Sequence, residues 1–156
     1  MAVMEKMLRL KLAVHRQCLE LLEERILSVR SSIDEMRTSA RESSKSSAGD
    51  KHETGRAMTD LEIEKQQVSL RHLQQMLTCI SQLDPQKIMT KAAPGALFST
   101  SQGLIYIAVP LGRLKVENAG VLVISPEAPI VPAFGKYPHE KTIIFNGRSY
   151  EILDLV

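Results

Sequence analysis

MAVMEKMLRLKLAVHRQCLELLEERILSVRSSIDEMRTSA, residues 1–40, decides the architecture. Its apolar residues recur at Met1, Met4, Leu8, Leu12, Leu19, Leu22, Ile26, Val29, Ile33, Met36 and Ala40, and His15 holds the remaining position of the series. Steps of three and four alternate throughout, which is the 3.5-residue repeat of a coiled-coil seam. No Pro or Gly interrupts residues 1–48. A second seam follows at Ile63, Gln66, Leu70, Leu73, Leu77 and Ile80 and ends before Asp84-Pro85, where proline stops a helix. Between the seams lies SARESSKSSAGD (39–50), whose Ser and Gly weaken helix and favour a turn. Two seams joined by a short connector predict an antiparallel hairpin. Its second helix covers about residues 51–83 and is roughly 50 Å long at 1.5 Å per residue. Residues 1–84 thus form an arm with its tip near 44–53, and a two-helix arm that buries one stripe leaves its far end in solvent.

Beyond a linker at 85–92 (PQKIMTKA) the period changes to that of strands. GLIYIAV (103–109) and AGVLVI (119–124, running into Ser125) are rich in β-branched residues. KTIIF (141–145) and RSYEILDLV (148–156) flank Asn146-Gly147, the strongest short hairpin signal. SPEAPIVPAFGK (125–136) carries Pro126, Pro129 and Pro132, so it is a loop with a short helical turn rather than a central strand. The expected fold class is α+β: an antiparallel coiled-coil hairpin, then a small antiparallel β domain over residues 93–156.

Composition removes several function classes. The 156 residues suit one ordinary domain or two very small ones. Twenty Lys+Arg against eighteen Asp+Glu give +2, and no region has a strong field of one sign, which argues against a polybasic nucleic-acid binder. Aromatics are 4% and Trp is absent, which argues against a large aromatic-packed core. Two distant cysteines, Cys18 and Cys79, exclude a disulfide scaffold and a Cys-rich zinc site. They should lie at similar heights on the hairpin and read as small buried apolar residues. No apolar run approaches the ~20 residues of a membrane span, and the start lacks a signal-peptide core. The expectation is a cytoplasmic protein with no membrane association. Phosphate-cradling glycine loops, a nucleophile elbow and HExxH are all missing from the sequence, so a self-contained enzyme site is not expected.

One constellation is set apart by position. Asp50 and Glu53 sit in GDKHETG, at the free end of the arm. Spacing i, i+3 puts both carboxylates on one side of a first helical turn. They could share a Mg²⁺ with another protein's site. The same Asp-x-x-Glu is also a near-match to a capping box, and a cap would hold the carboxylates still. His52 reads as a solvated turn residue. Lys45, Lys51 and Arg56 form either a solvated face or a steering patch for phosphates. The proline loop sets a chain path and can also serve as a docking edge.

The order of these features resembles the bacterial Gre-type transcription elongation (transcript-cleavage) factors, over nearly the whole chain. Three stretches carry the resemblance. GDKHETGRAMTDLEIEKQ (49–66) is similar to the family's tip motif, GDxxENAEYxxAKExQ. ISPEAPIVPAFGK (124–136) is similar to its ISPESPLGxALLGK loop, and FNGRSYEILDL (145–155) to its closing hairpin. The resemblance implies an FKBP-like fold for residues 93–156 and bacterial RNA polymerase as partner, bound by a monomer. It implies that the arm enters the secondary channel, where Asp50 and Glu53 help hold the second Mg²⁺ of the polymerase and orient a water. The polymerase then cuts backtracked RNA near the nascent 3′ end. The protein would have no cofactor of its own and would not be an enzyme alone. Ser125, Pro126, Ala128, Pro129 and Ile130 match the loop by which the family docks on the polymerase, and Glu62 matches a structural helix residue. Thr54, Arg56 and Ala57 differ from the motif, and the 125–136 loop is one residue shorter. These differences motivate an alternative, a channel-binding regulator or inhibitor that does not stimulate cleavage. Two rivals of other classes remain. One is a prolyl isomerase, which needs a pocket built from Phe98, Tyr106, Phe134, Tyr137, Phe145 and Tyr150. The other is a plain coiled-coil oligomerisation module.

Overall fold

A computed structural model of the chain describes residues 2–44 and 50–156, with side chains except at positions 43, 44 and 50–52. The elements follow in the order α1 (Ala2–Ser44), α2 (Asp50–Ser81), β1 (Leu97–Thr100), β2 (Gly103–Ile107), β3 (Gly112–Val116), β4 (Ala119–Ile124), α3 (Val131–Phe134), β5 (Thr142–Phe145) and β6 (Arg148–Leu155). The fold is an N-terminal helical hairpin followed by a six-stranded, mostly antiparallel sheet, an α+β architecture as expected. By contact the chain divides into two units, Leu21–Leu77 and Met1–Glu20 with Thr78–Val156. No helix among the described residues is long and apolar enough to cross a membrane.

In the Leu21–Leu77 unit the two seams face each other. Leu22, Ile26 and Ile33 of α1 and Ile63 and Leu73 of α2 are buried. Val29, Met36, Ala40, Gln66, Leu70 and Leu77 are half-buried between them. Each full burial of such a side chain contributes about 1.5–3 kcal/mol. The connecting residues 45–49, half of the expected tip, lie outside the described residues, as does Met1 of the first seam.

The first twenty residues depart from the expected seam. Met4 is exposed and Leu8, Leu12 and Leu19 are only half-buried, whereas Met7, Lys11, Val14, His15 and Cys18 are buried. The buried face is rotated by one residue, about 100°. The cause is a second packing partner. His15 meets Tyr106 of β2 and Gln17 donates to the Lys115 carbonyl of β3 at 3.0 Å, so this stretch lies against the sheet as well as its helical neighbour. Helix α2 closes with Gln82 and Leu83 amides on the Cys79 and Ile80 carbonyls, and the Asp84 carboxylate accepts the Gln86 amide at 2.9 Å across Pro85. Residues 85–92 are irregular, as expected of a linker, yet Met89 and Ala92 pack on the core.

The sheet order is β3-β4-β2-β1-β6-β5. All pairs are antiparallel except β2–β4, which is parallel and corrects the expectation of a purely antiparallel domain. The hairpin β3–β4 returns the chain so that β4 lies beside β2 in the same direction. Its two-residue turn, Glu117-Asn118, has φ of 49° and 65°, the left-handed pair that a tight hairpin turn needs. Asn146-Gly147 does the same between β5 and β6, at 50° and 76°. A bulge where Ser99 pairs with Asp154 but Thr100 with Ile152 leaves Leu153 unpaired. The expected helical turn in the proline loop is α3, with proline in its first turn and Phe134 buried beneath it. Ile130 and Phe134 cover one sheet face together with Phe98, Ile105, Ile107, Ile143 and Ile152.

Candidate functional site

The acid pair lies at the start of α2. Asp50 is the first helical residue and Glu53 follows one turn later, exposed. The Asp50 side chain, and with it the capping-box expectation, lies outside the described residues, as do Lys45 and the side chains of Lys51 and His52. A helix N-terminus favours carboxylates through its aligned amide dipoles. Below the pair, the Thr59 hydroxyl donates to the Gly55 carbonyl at 2.9 Å, and Gln66 donates to the Glu62 carboxylate at 3.3 Å, which makes Glu62 part of the helix surface. Arg56 is exposed three residues beyond Glu53.

Two carboxylates supply only part of the six-oxygen shell that Mg²⁺ demands. No group of three or more His, Cys, Asp or Glu able to hold a metal occurs among the described residues.

The proline loop is a chain of turns. The Ser125 hydroxyl accepts the Glu127 amide at 3.1 Å and the Ser125 carbonyl accepts the Ala128 amide at 3.0 Å. The Ala128 carbonyl then accepts Val131, and the Ile130 carbonyl accepts Ala133. These bonds fix which side chains face outward. Pro129 is exposed and Ser125, Pro126 and Ala128 are half-buried, but Ile130 is directed into the core at 7% exposure. Of the five expected docking residues, four are on the surface and Ile130 is their anchor. An open hollow of about 420 Å³ runs beside the loop, lined by Pro110, Leu122, Ile124, Ser125, Glu127 and Ala128 among others.

Sequence reasoning missed a buried polar cluster. Lys11 is fully buried and donates to the Lys87 carbonyl at 2.7 Å. Burial lowers its pKa to about 8, against the raising effect of Asp84. One helical turn on, His15 Nδ1 lies 2.8 Å from the Tyr106 hydroxyl. Burial lowers the His15 pKa, the Lys11 charge adds to this, and Asp84 opposes it. Burial also raises the Tyr106 phenol, with a further contribution from Cys18. The Cys18 thiol is pushed up to about 12 by burial, which keeps it protonated and inert. Every buried side-chain polar atom among the described residues has a partner, so the cluster is satisfied rather than strained. His15, as the one polar member of an apolar seam, was its only sequence signal. Cys79, expected buried like Cys18, is exposed because the end of α2 turns it outward.

Five of the six aromatics, Phe98, Phe134, Tyr137, Phe145 and Tyr150, pack in one core cluster. Phe98, Tyr106 and Phe134 have no exposure, and Phe98 stacks at 4.8 Å on Phe134 inside the core. Tyr137 and Tyr150 close the cluster edge-on. This is core packing, from which half-buried Tyr150 reaches the surface. No protein-family model, curated protein or solved structure matches the chain.

Proposed function

We propose that the protein is a Gre-type accessory factor of bacterial RNA polymerase, acting in the cytoplasm and having no active site of its own. The observation that carries this reading is the placement of an acid pair, Asp50 and exposed Glu53, in the opening turn of the second helix of a helical hairpin that precedes a small sheet domain. In this reading the hairpin enters the secondary channel. Asp50 and Glu53 offer carboxylate oxygens to a Mg²⁺ of the polymerase active centre and orient the water that attacks backtracked RNA. Ser125, Pro126, Ala128 and Pro129 dock on the polymerase surface, and Ile130 holds their loop in place. The sheet domain is FKBP-like and serves as the docking module.

Arg56, exposed three residues beyond Glu53, supports a second reading in which the hairpin occupies the channel without stimulating cleavage. A cation this close weakens the local negative field that recruits a divalent ion. Capture of RNA polymerase by the purified protein tests both readings together. Replacing Ser125 and Pro129 with Glu should reduce capture; capture that is absent from the unaltered protein, or untouched by these substitutions, contradicts the docking assignment. RNA shortening in stalled complexes supports the first reading, and slowed synthesis without shortening supports the second.

A further inference from the structure

The sheet face that α3 covers is left open at one end, and that end is basic. Strand register places Arg113 opposite Leu122, and Leu122 opposite Ile105, so the three share a face. Gly103 and Gly120 continue that face on β2 and β4, and Arg148 and Tyr150 alternate with buried Ile152 on β6. Ile130 and Phe134 fill the opposite end of the face. What remains is a cavity of about 270 Å³, lined by Arg113, Arg148, Tyr150, Gln102, Gly103 and Gly120 together with parts of β2 and β4.

Three features give the cavity a ligand chemistry. First, it holds two arginines and no acid, in a chain whose charges otherwise balance. Neither guanidinium has an ion pair or hydrogen bond to another described residue, so both forks are free to bind an oxyanion. Second, Tyr150 is half-buried and braced edge-on by Phe134, with ring centroids 6.2 Å apart, which presents a fixed aromatic surface. Third, two glycines, Gly103 and Gly120, leave part of the floor without side chains, beside Ile105 and Leu122. A Cβ on Gly120 would meet nothing within 4 Å, so the space above it is open. Gln102 is tied to the Ser149 carbonyl at 3.2 Å and fixes one wall. A larger hollow of about 700 Å³ on the other face lacks this character, because Lys6 and Arg9 share it with Glu117 and Asp154.

We propose that this cavity binds a nucleoside monophosphate unit, with the phosphate between Arg113 and Arg148 and the base against Tyr150. The site is separate from Asp50 and Glu53 and does not depend on the polymerase reading. The unit can be a free nucleotide or the terminal residue of an RNA strand, and the two are told apart by the probe.

Calorimetric titration of the full chain with AMP, GMP, adenosine, inorganic phosphate and a short single-stranded RNA bearing a 5′-phosphate tests the proposal. The expected result is saturable binding of a nucleotide or of the phosphorylated RNA, with adenosine weaker by about tenfold or more and affinity falling as salt rises. Preference for AMP or GMP identifies a free nucleotide as the ligand, and preference for RNA identifies a strand end. Arg113→Gln with Arg148→Gln should reduce affinity about tenfold or more, whereas Lys115→Gln, outside the cavity, should leave it unchanged. Gly120→Val fills the cavity without altering charge and should abolish binding, with an unchanged melting curve showing that the fold is intact. The proposal is overturned if no probe saturates at millimolar concentration, or if the arginine pair and Gly120→Val variants bind like the unaltered protein.

Discussion

The helices of Leu21–Leu77 and the stretch of α1 before them are written in the same 3–4 spacing but pack by different rules. The Leu21–Leu77 hairpin buries one stripe per helix, and its buried residues are those the spacing names: Leu22, Ile26, Ile33, Ile63 and Leu73. The first twenty residues serve two neighbours, and the buried set moves to Met7, Lys11, Val14, His15 and Cys18. A periodic pattern therefore reports the face a helix can bury, and the number of partners decides which face it does bury. The second partner also brings polar groups inside, since α1 must satisfy a tyrosine hydroxyl and a connector carbonyl as it packs.

If that contrast holds, equal truncations should cost more in the sheet unit. Ile152→Ala truncates a buried residue of the sheet core and should lower stability by about 4 kcal/mol. Ile33→Ala removes one seam residue between two helices that can close in, and should cost nearer about 2 kcal/mol. Urea melts followed by near-ultraviolet tyrosine signal and by helical signal would compare them; equal losses would break the contrast.

The buried polar cluster gives the sheet unit its own pH response. Lys11 has a lowered pKa in the folded chain, so the unfolded chain binds more protons between about pH 8 and 10.5. Its penalty is complete below about pH 8 and fades as pH rises, so stability should climb by at most about 3 kcal/mol over that window. Above about pH 10 Tyr106 opposes the climb, because its raised pKa keeps a proton that the unfolded chain gives up. His15, also lowered, should withdraw stability as pH falls below about 6.5. Lys11→Met should flatten the alkaline limb and His15→Gln the acidic one, each measured as Tm against pH. A profile unaltered by either substitution would remove these groups from the account.

The smallest expected difference sharpens the same point within one pair of side chains. Cys79 should react with a thiol reagent at the rate of an ordinary exposed cysteine, while Cys18 should label only on unfolding. Comparable labelling of both in the folded protein would contradict the buried face assigned to α1.

These contrasts also mark what could be read from the residues. Both helices, the hairpin at Asn146-Gly147 and the helical turn at Val131–Phe134 follow from spacing, turn chemistry and proline placement. Strand β3 escaped because its alternation, Gly-Arg-Leu-Lys-Val, is that of a charged edge strand, and β1 because Leu-Phe-Ser-Thr is too short to show a period. The Glu117-Asn118 turn has the backbone of a tight hairpin without a glycine to announce it. The place of Asp50 and Glu53 in the opening turn of α2 was legible from the sequence, whereas Lys11 was invisible, because only tertiary packing places a lysine inside. Ile130 shows the opposite limit: a motif gave its place in the loop but not its direction into the core.

The most direct test of the central proposal is a time course of RNA cleavage in stalled RNA polymerase complexes, with the unaltered protein and with Asp50→Asn, Glu53→Gln. The expected result is that the unaltered protein shortens the transcripts, and that the double variant still captures polymerase but does not shorten them. Helical signal is recorded alongside, since loss of a cap alone would cost about 0.5–2 kcal/mol. Cleavage that proceeds equally well with the double variant would contradict the assignment of these carboxylates.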